Sequence, residues 1–95
     1  MEAYEATVNI TYKGNNGNLP DPVNYEATNG DILGWAAEAL RTGGVPGIPA
    51  DPTAVLTDFV VDRFNADLTL PETDPAHWNR LMLRPKAPFG RFSTM

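Results

Sequence analysis

The chain begins with a segment in which apolar and polar side chains alternate. Every second position is apolar or aromatic: Tyr4, Ala6, Val8, Ile10 and Tyr12. Glutamate, threonine and asparagine fill the positions between them. A period of two residues, rich in β-branched and aromatic side chains, predicts a β-strand with one buried face.

A turn and a second strand are predicted after this segment. Residues 14–22 are rich in glycine, asparagine and proline, which favours a long turn. Val23, Tyr25 and Ala27 then alternate with polar residues and predict a shorter strand over residues 23–28. The two strands together predict a hairpin.

Residues 31–42 predict one helix of about three turns. Its apolar positions recur at helical spacing: Ile32, Trp35, Ala36, Ala39 and Leu40. Asn29 or Asp31 would cap the start, and the Gly43-Gly44 pair would end the helix. We expect the apolar stripe, including Trp35, to pack in the core.

The second half of the chain predicts further strands. Residues 57–64 read as a third strand, residues 68–70 as a very short one, and residues 80–84 as the last, with Leu81 and Leu83 inward. Asp74 is expected to cap a helical turn that begins at Pro75.

Composition narrows the function classes. The 95 residues carry a net charge of −5, contain no cysteine and include one histidine, His77. This length favours one domain. Without cysteine there is no disulfide and no thiolate nucleophile, and one histidine cannot form an imidazole cluster. We therefore expect a protein that is not an enzyme and holds no metal and no cofactor, with His77 packed in a turn.

The charge is unevenly distributed. Residues 1–78 contain all twelve acidic residues and three basic ones, whereas residues 79–95 contain four basic residues and no acidic one. The negative body disfavours nucleic acid as a partner. No apolar run approaches the roughly 20 residues of a membrane span, and the acidic start does not match a signal peptide. We therefore predict a cytoplasmic protein, monomeric when free, with a basic interaction tail.

The order of these elements resembles that of the ubiquitin-like β-grasp family. The resemblance rests on the hairpin of residues 3–28, the helix of residues 31–42, and the last strand with its tail in residues 80–90. It covers nearly the whole chain, as an order of elements and not as sequence identity. It implies an α+β fold in residues 1–84, a mixed sheet of four to five strands on one main helix, and a flexible basic tail in residues 85–95. The many proline and glycine turns would suit a divergent bacterial member.

The resemblance also implies a function for the tail. In ubiquitin-like modifiers an activating enzyme adenylates a C-terminal glycine, and a conjugating enzyme joins it to an amine of a target protein. Here Gly90 would be that glycine, after a processing peptidase cuts before Arg91 and removes residues 91–95. Phe89 stands where the family usually has a second glycine, so the enzyme channel would need a matching pocket.

Basic residues upstream of Gly90 would guide the tail. Arg80, Arg84 and Lys86 precede it, and such cations steer a segment towards acidic grooves on partner enzymes. The same stretch is also compatible with a basic terminus that no enzyme processes. Two other ubiquitin-like roles stay open: a non-covalent adaptor or subunit of a larger complex, and a sulfur carrier with a terminal thiocarboxylate.

An adaptor would bind its partner with the outer face of the sheet. Val60 and Met82 are expected on that face, where they would form an apolar patch if they are adjacent and exposed. Single exposed apolar residues are also ordinary features of soluble proteins.

Glu72 and Asp74 are expected in a solvated turn.

Overall fold

The computed structural model describes residues 1–86, and these form one helix and a five-stranded sheet. The elements in chain order are β1 (Glu5–Tyr12), β2 (Asn15–Asn18), β3 (Val23–Asn24), α1 (Asn29–Thr42), β4 (Phe59–Phe64), a 3₁₀ turn (Pro75–His77) and β5 (Asn79–Pro85). No helix within these 86 residues is long and apolar enough to cross a membrane.

The strands form one mixed sheet in the order β2-β1-β5-β4, with β3 beside the start of β1. β1 and β5 are parallel at the centre, with Ala6 opposite Asn79 and Ile10 opposite Leu83. β2 and β4 are antiparallel to their neighbours. A parallel pair requires a long crossover, and α1 and β4 lie within it. The predicted α+β class is confirmed, and the arrangement is compatible with a β-grasp fold.

The core lies between one face of the sheet and α1. Its largest fully buried side chains are Ile10, Ile32, Leu40, Leu81, Leu83, Val8 and Val45. Burying a side chain of this size contributes about 1.5–3 kcal/mol, so this layer is the main source of stability. The alternation predicted for β1 is confirmed from Ala6 to Tyr12, and so is the inward orientation of the two β5 leucines.

The first hairpin is tighter than the sequence predicted. Lys13 and Gly14 have positive φ angles of 49° and 80°, as in a two-residue type I′ turn, and Tyr12 pairs directly with Asn15. The predicted long turn over residues 14–22 is therefore wrong. Asparagine and glycine have low strand propensity, but the turn conformation and pairing with β1 outweigh it.

The second predicted strand is shorter than expected. Only Val23–Asn24 pairs with β1 as β3. The Asn24 side-chain oxygen then accepts a hydrogen bond from the Glu26 N–H, and its carbonyl accepts one from Ala27. This Asx turn diverts the backbone away from the sheet towards α1.

Both ends of α1 show clear caps. The Thr28 hydroxyl accepts a hydrogen bond from the Asp31 N–H, so Thr28 is the N-cap and the predicted caps Asn29 and Asp31 lie inside the helix. Gly43 ends the helix with a φ of 76°, as predicted.

The buried face of α1 differs from the predicted stripe. It consists of Ile32, Ala36, Ala37 and Leu40, whereas Trp35 is 48 % exposed. The placement of Trp35 in the core is therefore wrong. The two small alanines let the helix lie close to the sheet, and a tryptophan at the same interface would hold the two layers apart.

The strand predicted at residues 68–70 is also wrong. The Asp67 carboxylate accepts hydrogen bonds from the N–H and hydroxyl of Thr69, and its carbonyl accepts one from the Leu70 N–H. These bonds form a local turn and leave Leu68 72 % exposed. The helical turn predicted to begin at Pro75 is confirmed, because Asp74 caps a 3₁₀ turn there through the Ala76 N–H.

Candidate functional site

The face of the sheet that points away from α1 carries four of the eight predicted site residues. Alternation along β5 directs Arg80, Met82 and Arg84 to this outer face. Antiparallel pairing brings β4 residues Val60, Asp62 and Phe64 beside them, in direct register with Arg84, Met82 and Arg80 respectively. We call these six residues the outer strip.

Val60 and Met82 share this face as diagonal neighbours. Val60 lies directly opposite Arg84, and Met82 lies directly opposite Asp62. Met82 is 37 % exposed and Val60 is half-buried. Diagonal side chains across an antiparallel pair stand about 7–8 Å apart, within reach of a long side chain. A partner-binding patch at these two residues stays a prediction.

One of the three predicted guiding cations, Arg84, forms an ion pair. The Arg84 Nε donates to the Asp62 carboxylate at 2.7 Å, and both side chains remain substantially exposed. An ion pair of this kind is worth less than about 1 kcal/mol, but it reduces the charge that Arg84 offers to a partner. Lys86 is exposed beyond β5, where its backbone N–H donates to the Asp58 carbonyl.

Arg80 differs from Arg84 because it forms no ion pair with an acidic side chain of residues 1–86. Its guanidinium carbon lies 5.0 Å from the centre of the Phe64 ring, which fixes the side chain by a cation–π contact. The Arg80 Nε is buried and has no hydrogen-bond partner within residues 1–86. A buried donor without an acceptor is rare in folded proteins.

A groove adjoins Arg80 on the β1–β2 side of the outer face. It encloses about 520 Å³ and is lined by Thr7, Asn9, Asn18, Leu19, Pro75, Arg80 and Met82. The 3₁₀ turn that Asp74 caps contributes one wall, through Pro75. The groove is therefore built from residues that are distant along the chain.

Asparagine side chains organise the floor of this groove. The Asn9 Nδ2 donates to the Asn18 Oδ1 at 2.8 Å and to the Asn16 Oδ1 at 2.9 Å, and the Asn16 Nδ2 donates back to the Asn9 Oδ1. This amide network holds β2 against β1 and leaves a polar surface beside the Arg80 guanidinium. No sequence pattern indicated the network, because Asn16 and Asn18 were assigned to a turn and Asn9 to the polar face of the first strand.

A second polar cluster centres on Asp51. Its carboxylate accepts hydrogen bonds from the Tyr12 hydroxyl at 2.7 Å, the Lys13 ammonium at 2.9 Å and the Thr53 hydroxyl at 2.7 Å. Donation by Thr53, Lys13 and Tyr12 holds the pKa of Asp51 well below its ordinary value, and the bond to Asp51 raises the pKa of Tyr12. The cluster ties the end of β1 to the loop after α1. Asp51 also begins a turn, since its carboxylate accepts the Thr53 N–H and its carbonyl accepts the Ala54 N–H.

His77 contacts its own turn. Its Nδ1 lies 2.7 Å from the Leu70 carbonyl oxygen, and its ring lies edge-on to Trp78. The Trp78 Nε1 donates to the carbonyl of Glu72. No group of three potential metal ligands occurs within residues 1–86.

The predicted processing residues Phe89, Gly90 and Arg91 lie outside the described residues. Comparison with protein-family models, with curated proteins and with solved structures gave no match.

Proposed function

We propose that the chain is a ubiquitin-like protein modifier, joined to a target amine through Gly90 after removal of residues 91–95. The observation that supports this role is the position of β5. This strand is central and parallel to β1, and its end at Pro85 leads directly into the segment that contains Gly90. The strand that precedes the basic C-terminal segment therefore lies in the middle of the sheet, which supports the proposal.

The chemistry would take place on the Gly90 carboxylate. An activating enzyme transfers AMP from ATP to this carboxylate and releases pyrophosphate, and a target amine later displaces the activated group to form an amide bond. A glycine suits this step because it has no Cβ to obstruct a narrow channel. The partners would be a processing peptidase, an activating enzyme, a conjugating enzyme and a cytoplasmic target protein.

Lys86 and Arg84 would contribute unequally to recognition of the tail. Lys86 is exposed at the end of β5, whereas Arg84 is paired with Asp62. Lys86 is therefore the better candidate for steering the tail towards an acidic enzyme groove. Phe89 stands where the family usually has a glycine, and its ring would occupy a pocket on the activating enzyme.

Intact-mass spectrometry of the protein from its native host tests this function. We expect a mass that ends at Gly90, or an adduct on another protein, and Gly90→Asp should abolish the adduct. Ser93→Asp introduces the same side chain into the segment to be removed, so it should leave the adduct unchanged. A full-length mass without any adduct, or conjugation of the Gly90→Asp variant, would contradict the proposal.

The outer strip favours a second candidate, a non-covalent adaptor. Val60 and Met82 expose apolar surface on a sheet face that no helix covers in the described residues. An adaptor would keep its full-length mass and bind its partner through this face. Exchange of oxygen for sulfur at a processed Gly90 carboxylate would instead indicate a sulfur carrier.

A further inference from the structure

Among the arginines of residues 1–86, Arg80 alone has no oxygen partner within that part of the chain. The others are all paired: Arg41 donates to the Ala54 carbonyl, Arg63 to two backbone carbonyls and an asparagine, and Arg84 to Asp62. Arg80 instead stacks on Phe64, and its buried Nε has no acceptor within the described part of the chain. The guanidinium charge of Arg80 therefore has no oxygen acceptor within the described residues, although Arg80 lines a groove, so a ligand oxygen that accepts from its terminal nitrogens there is favoured.

The groove beside Arg80 is suited to a ligand with one negative charge. Arg80 is the single charged residue among its seven lining residues, and none of them carries a carboxylate. Thr7, Asn9 and Asn18 add polar groups. The volume of about 520 Å³ falls within the range of about 300–1,000 Å³ that is typical of ligand pockets.

The walls of the groove favour a peptide over a free anion. Leu19, Pro75 and Met82 supply apolar surface around the polar floor. A small hydrated ion would not bury this apolar surface, whereas the apolar side chains that flank an acidic residue in a peptide would bury it. A nucleic acid fits poorly, because residues 1–86 carry twelve acidic and six basic residues and would repel a polyanion.

We propose that this groove binds an acidic peptide segment of a partner protein. A glutamate or aspartate carboxylate of the partner accepts hydrogen bonds from the terminal nitrogens of the Arg80 guanidinium, and its apolar neighbours contact Leu19 and Met82. Stacking on Phe64 holds the guanidinium plane in place, so little side-chain freedom is lost on binding. The site lies within the folded domain, so it operates whether or not Gly90 is conjugated.

A peptide titration of the full 95-residue chain tests this site by nuclear magnetic resonance. The probe is acetyl-Ala-Leu-Glu-Leu-Ala-amide, and the control peptide carries glutamine in place of glutamate. We expect saturable shifts at Thr7, Asn18, Met82 and the Arg80 Nε–H. The glutamine peptide should bind at least about tenfold more weakly, as expected for loss of a charge-assisted hydrogen bond.

Arg80→Gln and Arg84→Gln form a matched pair of variants. Both remove one positive charge from the same face of β5, but Arg84 already has Asp62 as its partner. Arg80→Gln should weaken binding of the glutamate peptide at least about tenfold, and Arg84→Gln less than about twofold. Gly90→Asp should bind like the wild type, which separates this test from that of conjugation.

A second pair of variants covers the case in which Arg80→Gln fails to fold. Asn18→Asp places a carboxylate in the groove, whereas Asn16→Asp places one on the same strand outside its lining. Asn18→Asp should weaken binding strongly, and Asn16→Asp much less. Equal effects within either pair, equal binding of the glutamine peptide, the same shifts with sodium acetate alone, or no saturable shift in the groove would each overturn the proposal.

Discussion

Gly17 is the position at which one added methyl group should disturb the fold most clearly. It lies in β2, on the face of the sheet that carries the core, and the loop after α1 covers it. A Cβ at this position would overlap the Pro46 carbonyl oxygen and lie 2.9 Å from the Val45 Cγ1 and 3.3 Å from the Ile48 Cγ1. The φ angle of Gly17 is not positive, so the obstacle is the lack of space and not backbone strain.

The expected cost of Gly17→Ala follows from two opposed effects. Overpacking of a tight site costs about 1–3 kcal/mol, and a clash with backbone lies at the upper end because a carbonyl cannot rotate away as a side chain can. Alanine has less conformational freedom than glycine in the unfolded chain, which favours the folded state by about 0.4–1 kcal/mol. We therefore expect a net loss of about 2 kcal/mol, which lowers the melting temperature of a domain of this size by about 8–16 °C.

Urea unfolding followed by circular dichroism measures this loss. Gly34→Ala is the matched control, because Gly34 lies in α1 and a Cβ there meets no atom within 4 Å. That variant should be more stable than the wild type by about 0.5–1 kcal/mol, as alanine favours a helix over glycine. If Gly17→Ala unfolds within about 0.5 kcal/mol of the wild type, the loop at residues 45–48 does not rest on β2 and the packing described above is wrong.

Three further substitutions test polar contacts. The hydrogen bonds to Asp51 hold its pKa below the ordinary 3.8, so its contribution to stability is complete above about pH 4 and is lost as the pH falls below that value. Lowering the pH from 7 to 3 should therefore reduce the urea midpoint of the wild type more than that of Asp51→Asn, and equal reductions would show that the bonds do not form. Arg63 joins β4 to the segment before α1 and to the first residue of the helix through three hydrogen bonds of 2.6–2.7 Å, so Arg63→Met should cost about 1–2 kcal/mol. Arg84→Met removes one exposed ion pair and should cost less than about 1 kcal/mol in the same urea experiment; a larger loss than for Arg63→Met would contradict this ranking.

The sequence predicted best those elements whose signal is local. The alternation of β1 and β5 and the glycine at the end of α1 could be read directly, because strand period and helix caps depend on neighbouring residues. β2 was missed because its four residues, three asparagines and one glycine, have the composition of a turn. Its strand conformation arises from pairing with β1, which composition does not reveal.

The rotation of α1 and the groove depend on tertiary contacts. By spacing alone, Trp35 fits an apolar stripe as well as Ala37 does. The close approach of helix and sheet leaves room only for the small side chain, so Ala37 is buried and Trp35 is exposed. Arg80 was noted as a steering cation, but its stacking on Phe64 follows from the register of β4 with β5. Pro75, Asn18 and Arg80 meet only after four separate segments have been assembled, so no motif could indicate the groove.

The parallel pairing of β1 with β5 has a consequence for the order in which the domain is built. Ala6 pairs with Asn79, so the two central strands come from opposite ends of the described chain. Contacts between such distant residues require closure of a large loop first, which slows folding relative to a helical bundle of similar size. During synthesis, β4 and the edge of β1 that faces away from β2 would stay unpaired until β5 leaves the ribosome and pairs with both strands. A chain that stops before Asn79 should therefore leave β4 and one edge of β1 with unpaired backbone groups, which favours aggregation of incomplete copies.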